Sequence, residues 1–229
     1  MEKKIQLSPS SINLFLECPA CFWLEKKMGI RRPPPYPYTL NSAIDQLLKA
    51  EFDECRIQNK IPEIIQEKGI KAHLFPNQQL ISQWRSNFSG LRYYDEKLDA
   101  VLFGAVDDIL EFEDGSLSPL DCKSTGGNVA NVYDRFQIQM DIYSYLLERN
   151  GFKTNGKAYL AFYIVDKSDG FGDAKLSFKK ELHEIETKTD DVPDIFSDAI
   201  KVCRQNSIPN HSPECEFGKW YKKVKIISL

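Results

Sequence analysis

The 229-residue sequence has no apolar run that approaches the ~20 residues of a membrane-spanning helix. Its first residues, Met1-Glu-Lys-Lys-Ile5, lack the apolar stretch of a secretory signal peptide. There is also no internal repeat and no low-complexity segment. We therefore expect a cytoplasmic protein that does not enter a membrane.

An excess of positive charge, which would indicate nucleic-acid binding, is absent too: 30 Lys and Arg stand against 33 Asp and Glu, a net charge of −3. Basic residues cluster locally at Lys26, Lys27, Arg31 and Arg32 and, beside Trp220 and Tyr221, at Lys219, Lys222, Lys223 and Lys225. Basic residues next to aromatic ones suit contact with single strands. A solvated face is the simpler explanation of each cluster alone.

Apolar residues make up 42% of the chain, and its length allows one well-buried core. We predict a single domain over residues 1–229. Six cysteines in a cytoplasmic protein are more often free or metal-bound than disulfide-bonded.

Apolar runs at residues 101–112 and 117–123 flank a turn that contains Asp114-Gly115, which predicts a β-hairpin. Asp121 and Lys123 share one strand face, and the hairpin brings Asp107 beside them. Buried charges are costly unless they pair or bind a metal. Asp108 points to the opposite face, where it supports the site or lies in solvent. A surface hairpin with solvated charges is the alternative.

Two carboxylates and a backbone carbonyl, those of Asp107, Asp121 and Cys122, form an oxygen-rich site that suits Mg²⁺ or Mn²⁺. The lysine at position 123 is placed to hold a phosphate or an attacking water. The hairpin therefore predicts a metal-assisted hydrolytic site.

The remaining pattern predicts a helix from Ser8, a stiff proline link at residues 33–37 and a long helix from Asn41. Its apolar stripe comprises Ile44, Leu47, Leu48, Phe52 and Cys55. Residues 56–90 give no clear pattern. Further elements are expected as strands at 91–94, 99–112, 117–123, 157–165 and 175–186, with a turn at 169–172, and helices at 132–149 and 190–205. This order predicts an α/β fold with a mixed central sheet flanked by helices.

The motif Gly104-x-x-Asp107 followed by Asp121-x-Lys123 resembles the PD-(D/E)XK nuclease superfamily, in the form of its RecB/AddB-like branch. That branch includes CRISPR-associated RecB-like exonucleases. The helical pair Gln139-x-x-x-Tyr143 and an N-terminal helix that ends in Cys18-Pro extend the similarity. The resemblance implies a restriction-endonuclease-like fold and metal-dependent hydrolysis of DNA, by an exonuclease rather than a site-specific endonuclease.

By the same resemblance, Asp107, Asp121 and Lys123 are catalytic, and Gln139 and Tyr143 support the site and touch the substrate strand. Many members carry a metal-binding histidine in the long helix, where this chain has Asp45. A carboxylate is a competent ligand for Mg²⁺ or Mn²⁺. The alternative is a helix-start aspartate that is stabilised by the helix dipole.

Many relatives also hold a [4Fe–4S] cluster with one cysteine after the first helix and three near the C-terminus. The candidate ligands here, for a cluster or for a zinc site, are Cys18, Cys21, Cys203 and Cys215. Gly218 stands where another cysteine is expected. This spacing fits neither the family nor common zinc patterns, so ordinary buried cysteines are favoured over a cluster. Cys55 and Cys122 are expected in the core.

The implied partner is DNA, as single strands or duplex ends, and the resemblance adds a helicase or CRISPR adaptation proteins. The departures at Asp45 and at the cysteines leave a second hypothesis open. In it, the chain is a weak or inactive nuclease that serves as a nucleic-acid-binding or partner-binding subunit of a DNA repair or CRISPR adaptation complex.

Overall fold

The computed structural model describes residues 4–34, 39–168 and 170–227, with the backbone alone for the last three of these. In chain order, the helices are α1 Pro9–Glu17, α2 Pro19–Met28, α3 Thr39–Ile57, α4 Glu63–Glu67, α5 Gln78–Trp84, α6 Asp134–Arg149, α7 Val192–Arg204 and α8 Glu216–Ile227. The strands are β1 Ile5–Leu7, β2 Ala72–Leu74, β3 Leu91–Asp95, β4 Ala100–Gly104, β5 Asp108–Phe112, β6 Leu117–Thr125, β7 Lys157–Asp166 and β8 Ser177–Glu186. Pro35 and Pro37 of the expected link and Asp169 of the expected turn lie outside the described residues.

The chain divides into two compact units. The first unit consists of Met1–Tyr36, Tyr94–Leu102 and Asp190–Leu229. The second unit consists of Pro37–Tyr93 and Phe103–Thr189. The expectation of one domain across residues 1–229 stays a prediction.

The second unit is built on a five-stranded mixed sheet of order β2-β5-β6-β7-β8. Strands β6 and β7 are parallel, and the other neighbours are antiparallel. Parallel neighbours need a crossover, which the chain makes through α6. The core of this unit comprises Leu48, Phe52, Ile64, Ile65, Ala72, Leu74, Leu110, Leu120, Tyr159, Ala161, Tyr163 and Leu182. The predicted α/β fold with a mixed sheet and flanking helices is confirmed.

The Asp-Gly hairpin forms as predicted: β5 and β6 pair in antiparallel fashion, with Asp108 opposite Leu120. Gly115 turns the chain with φ of +75°, a conformation that glycine adopts at little cost. The hairpin therefore fixes the register that carries Asp121 and Lys123.

A single strand across residues 99–112 is wrong, because the chain bends between β4 and β5. Backbone groups in the bend bind partners outside any sheet. The Tyr143 hydroxyl donates to the Ala105 carbonyl at 2.6 Å, and Arg85 Nε donates to the Asp107 carbonyl at 2.6 Å. Asp107 thus lies in a bend directly before β5.

Helix α3 forms where the apolar stripe predicts it and buries Leu48 and Phe52, with Ile44 and Cys55 packed beside them. Leu47 is 70% exposed, so its place in the stripe was wrong. One residue advances a helix by about 100°, which carries Leu47 off the buried face.

Residues 56–90, for which the sequence gave no clear pattern, contain α4, β2 and α5. Helix α8 was not predicted. Helix α6 ends at Arg149, and Gly151 just beyond its cap residue Asn150 has a φ of +85°, the left-handed conformation that often follows a helix.

In the first unit, β1 runs parallel to β4, with Ile5 opposite Ala100 and Leu7 opposite Leu102. Helix α1 starts at Pro9, with Ser8 as the predicted N-cap. Helix α2 packs on α7, and Trp23 Nε1 donates to the Gln205 carbonyl at 3.1 Å. None of the helices in the described ranges is long and apolar enough to span a bilayer.

Candidate functional site

A polar cavity of about 390 Å³ lies within the second unit. It is lined by Asn41, Ser42, Asp45, Leu48, Ala105, Asp107, Asp121, Cys122, Lys123, Ser124, Gln139 and Tyr143. Every residue that the sequence nominated for the metal-dependent site is in this group. The cavity therefore brings α3, the bend before β5, strand β6 and helix α6 to one place.

Asp121 is the most deeply buried acid of the cavity, with 2% of its surface exposed. Its Oδ1 accepts a hydrogen bond from Gln139 Nε2 at 3.0 Å. Its Oδ2 accepts none from the described residues, although the Lys123 ammonium contacts it. Burial raises the pKa of Asp121 to about 7; the Asp107 carboxylate adds to the shift and the Lys123 ammonium opposes it.

Asp107 joins this acid from the bend before β5. Its Oδ2 accepts the Cys122 backbone N–H at 3.0 Å, and its Oδ1 lies 3.0 Å from Lys49 Nζ. In an extended strand the N–H and C=O of one residue point to the same edge, so the Cys122 carbonyl faces the Asp107 side. The Cys122 side chain packs against the core.

Sequence reasoning missed Lys49, whose ammonium bridges Asp107 and Asp45, with Asp45 Oδ2 at 2.8 Å. The available signal was the i, i+4 spacing of Asp45 and Lys49 on α3, which places the two side chains together. Burial alone would lower the pKa of Lys49, but the Asp107 and Asp45 carboxylates outweigh it and raise the pKa. The ammonium is therefore charged at neutral pH.

Gln139 connects the acids to the lysine. Its Nε2 donates to Asp121 and to the Tyr143 hydroxyl at 2.8 Å, while its Oε1 accepts from Lys123 Nζ at 3.3 Å. The Tyr143 hydroxyl in turn donates to the Ala105 carbonyl. Burial raises the pKa of Tyr143 well above its usual value, so the hydroxyl keeps its proton. The network thus fixes both ends of the Gln139 amide.

Asp108 is fully buried, so the expectation that it might lie in solvent is wrong. It is paired with Arg56 and Arg85, and its Oδ2 accepts from Arg85 at 2.8 Å. Both guanidiniums also bind Asp53, at 2.6 and 2.8 Å. Because Arg85 also holds the Asp107 carbonyl, this cluster positions the bend from behind.

The cavity fits a hard divalent metal ion. Asp107, Asp121 and the Cys122 carbonyl offer oxygen donors alone, the donor type that Mg²⁺ and Mn²⁺ prefer. Oδ2 of Asp121 is a buried carboxylate oxygen whose partner is the Lys123 ammonium, so it already lies where a cation is bound. Burial and the nearby acids raise the pKa of the Cys122 thiol, so it stays neutral and offers no thiolate.

A second group of candidate ligands lies in the first unit: Cys18, Cys21, His211 and Cys215. The predicted set contained Cys203 in place of His211, and this is corrected. Cys203 is one of the buried residues along α7, with Val192, Phe196, Ala199 and Ile200, and lies outside the group. The spacing of the cysteines gave no signal for His211.

The two basic clusters match the expected solvated faces to different degrees. Arg32 of the first cluster is half-buried, whereas the described side chains of the second are exposed. The Arg32 side chain binds Glu17 at 2.7 Å and contacts Cys215. On α8, Trp220 and Tyr221 are 64% and 54% exposed. The side chain of Lys225 lies outside the described residues.

The family model of the PD-(D/E)XK nuclease superfamily matches residues 6–217. A solved structure titled "Crystal structure of SSO0001" is similar at 12% identity and a TM-score of 0.45, over 99% of this chain and 87% of that chain. No curated protein matches the sequence. Because the family model spans most of the sequence, the chain belongs to the PD-(D/E)XK nuclease superfamily.

Proposed function

We propose that the protein is a divalent-metal-dependent nuclease that hydrolyses DNA from strand ends, on the pattern of the RecB/AddB-like branch. Membership of the superfamily supports phosphodiester hydrolysis. The observation that carries the proposal is the polar cavity, which brings the buried Asp121 carboxylate together with Asp107 and Lys123.

Asp107, Asp121 and the Cys122 carbonyl are the residues that would hold Mg²⁺ or Mn²⁺, with Asp45 as a further ligand from α3. When bound, the ion lowers the pKa of a water and offsets negative charge in the transition state. Lys49 must release Asp107 for this, since its ammonium now contacts that carboxylate.

Lys123 orients the attacking water or the scissile phosphate. Its ammonium is held by Gln139 Oε1 and contacts Asp121, and it lies 4.9 Å from the centre of the Phe136 ring. Gln139 and Tyr143 hold the side chains of Lys123 and Asp121 in position and contact the substrate strand. Because these hydrogen-bond donors are already held in place, they need not reorient during the reaction.

DNA as the substrate, cleavage from an end, and a helicase or CRISPR adaptation proteins as partners rest on the resemblance of the sequence motifs to the RecB/AddB-like branch. The exposed aromatic residues Trp220 and Tyr221 on α8, next to lysines, suit stacking with unpaired bases. This surface favours single strands or frayed duplex ends.

A second candidate is a nucleic-acid-binding or partner-binding subunit that does not cut. It is favoured by one observation: Lys49 and Lys123 pair with Asp107 and Asp121. These two ammonium groups offset two of the three carboxylates in the cavity, the third being that of Asp45. Metal binding and cleavage together separate the two candidates.

Cleavage of linear and circular DNA, single-stranded and duplex, and of RNA with Mg²⁺ or Mn²⁺ tests the proposal. We expect linear DNA to be degraded and circular DNA to persist. Lys123→Ala should lose roughly 10²-fold or more in rate while it folds and binds DNA, because the lysine acts in the transition state. The matched control is Lys153→Ala, a lysine that pairs with Asp114 at the surface.

Asp121→Asn should be equally inactive through weaker metal binding, and excess Mn²⁺ should restore it in part. Excess metal should not restore Lys123→Ala. Cutting of circular DNA would remove the exonuclease assignment alone. No cutting with any divalent metal would leave the non-cutting candidate.

Calorimetry tests the metal site separately. We expect the wild type to bind Mn²⁺ and the Asp107→Ala variant to lack that binding site. The control is Asp114→Ala, which removes an exposed carboxylate from the β5–β6 turn. Equal binding by wild type and Asp107→Ala would remove Asp107 from the site.

A further inference from the structure

Four ligand atoms of the first unit converge although their residues are far apart in sequence. The Sγ atoms of Cys18, Cys21 and Cys215 lie 3.4, 3.8 and 3.7 Å from His211 Nδ1. The Sγ atoms of Cys21 and Cys215 are 3.6 Å apart, and all four ligand atoms lie within 4.8 Å of one another. The three cysteines are buried.

These separations match the edges of a tetrahedron around one zinc ion. Zn–S bonds of about 2.3 Å and Zn–N bonds of about 2.0–2.1 Å give ligand–ligand edges of roughly 3.5–3.8 Å. In a [4Fe–4S] cluster each thiolate binds a different iron, so its sulfurs stand further apart than ligands that share one ion. The observed spacing therefore favours a single ion over a cluster.

A backbone N–H group supports the Cys215 sulfur as a thiolate, the form in which cysteine binds a metal. The Gly218 N–H donates to Cys215 Sγ at 3.3 Å, from three residues further along the chain. Cys18 and Cys215 each stand directly before a helix, at the starts of α2 and α8.

Gly218 explains why a histidine completes the group. A Cβ at this position would lie 2.7 Å from Cγ of the His211 ring and 2.9 Å from its Nδ1. Any larger residue, cysteine included, would push the imidazole out. The imidazole therefore occupies the space in which a fourth cysteine would otherwise stand.

Arg32 supplies the matching charge. Zinc with three thiolates carries a net charge of −1, and a buried anion needs a partner. The Arg32 guanidinium donates to Cys215 Sγ at 3.7 Å and stacks 4.7 Å from the centre of the Phe217 ring.

We propose that Cys18, Cys21, His211 and Cys215 form a structural zinc site that joins the start of α2 to the segment before α8. It is independent of the nuclease site. Four protein ligands leave no open position on the ion, which is the arrangement of structural rather than catalytic zinc.

Metal analysis of the purified full chain tests the site. We expect one zinc per chain, no stoichiometric iron and no broad absorbance near 400 nm after anaerobic purification. Cobalt in place of zinc should give the intense bands of a tetrahedral thiolate site. His211→Ala and Cys215→Ser should lose the zinc and unfold at a lower temperature, whereas His211→Cys should keep the metal.

Cys203→Ser is the matched control, since it removes a buried cysteine of the same unit outside the group. It should retain one zinc per chain. Because Cys215→Ser removes a buried group, His211→Ala decides the case if the serine variant does not fold.

Three results would overturn the proposal. One is four irons per chain in a brown protein. Another is a metal-free protein that takes up no zinc at micromolar concentration. A protein in which Cys21 and Cys215 form a disulfide counts as this result. The last is equal zinc content in wild type and His211→Ala.

Discussion

The Lys49 ammonium lies 3.0 Å from Oδ1 of Asp107. It stands where positive charge is needed in the absence of a metal, beside the acid that we propose as a ligand. The two carboxylates that it bridges raise its pKa, so it remains charged at neutral pH. A divalent ion must therefore compete with a built-in cation.

Replacement of Lys49 by methionine should tighten Mn²⁺ binding and destabilise the metal-free protein. Unit charges about 4 Å apart interact by about 1–4 kcal/mol between the dielectric constants of water and of a protein surface, so we expect a roughly tenfold gain in affinity. Calorimetry measures the affinity, and thermal unfolding in EDTA measures the loss of stability. Unchanged affinity would mean that Lys49 does not oppose the metal.

The stability of the metal-free protein should depend on pH through Asp121. Its pKa in the folded state is raised to about 7, against about 3.9 in an unfolded chain. Between these values the folded state keeps a proton that the unfolded state has lost, so this contribution to stability falls as pH rises through the window.

Asp121→Asn removes that dependence. Its melting temperature relative to the wild type in EDTA should therefore rise from pH 5 to pH 8, and Mn²⁺ should reverse the difference by stabilising the wild type more than the variant. A difference that stays constant with pH would show that Asp121 titrates normally.

Asp108→Asn should destabilise the fold strongly. The residue is fully buried and paired with Arg56 and Arg85, and loss of one partner leaves buried guanidinium charge uncompensated. Such losses cost about 3–5 kcal/mol. Urea unfolding measures the change, with Asp114→Asn on the exposed turn as the control. A change as small as that of the control would mean that the arginines find other partners.

Gly104→Ala should lower activity without touching any proposed metal ligand. The new Cβ would lie 2.7 Å from Cε1 of Tyr143, whose hydroxyl is tied to Gln139 and to the Ala105 carbonyl. The ring must move, and Gln139 with it, at a cost in stability of about 1–3 kcal/mol. Gly126→Ala, which meets no atom within 4 Å, is the control. Equal cleavage rates in both variants would show that this contact does not position the site.

Local signals predicted which residues of the second unit lie together in the cavity. The Asp-Gly turn and the period-two pattern of β6 place Asp121 and Lys123, and the i, i+4 spacing on α6 places Gln139 beside Tyr143. These placements depend on regular local geometry, which sequence patterns report directly.

What the sequence did not reveal depends on tertiary contacts. The bend before β5 exists because Tyr143 and Arg85 bind its carbonyls from distant elements, and neither contact has a local pattern. His211 lies 190 residues from Cys21 and was not among the proposed ligands. Lys49 was overlooked because an i, i+4 pair with Asp45 is also what an ordinary exposed helix shows.

Cys122 stands between two charged residues, yet its side chain belongs to the core and only its backbone meets the cavity. The side chain at this position is therefore constrained by packing. A change to another small apolar residue, such as alanine or valine, leaves the carbonyl in place. The middle residue of the motif thus answers to the interior of the protein, while Asp121 and Lys123 on either side of it face the cavity.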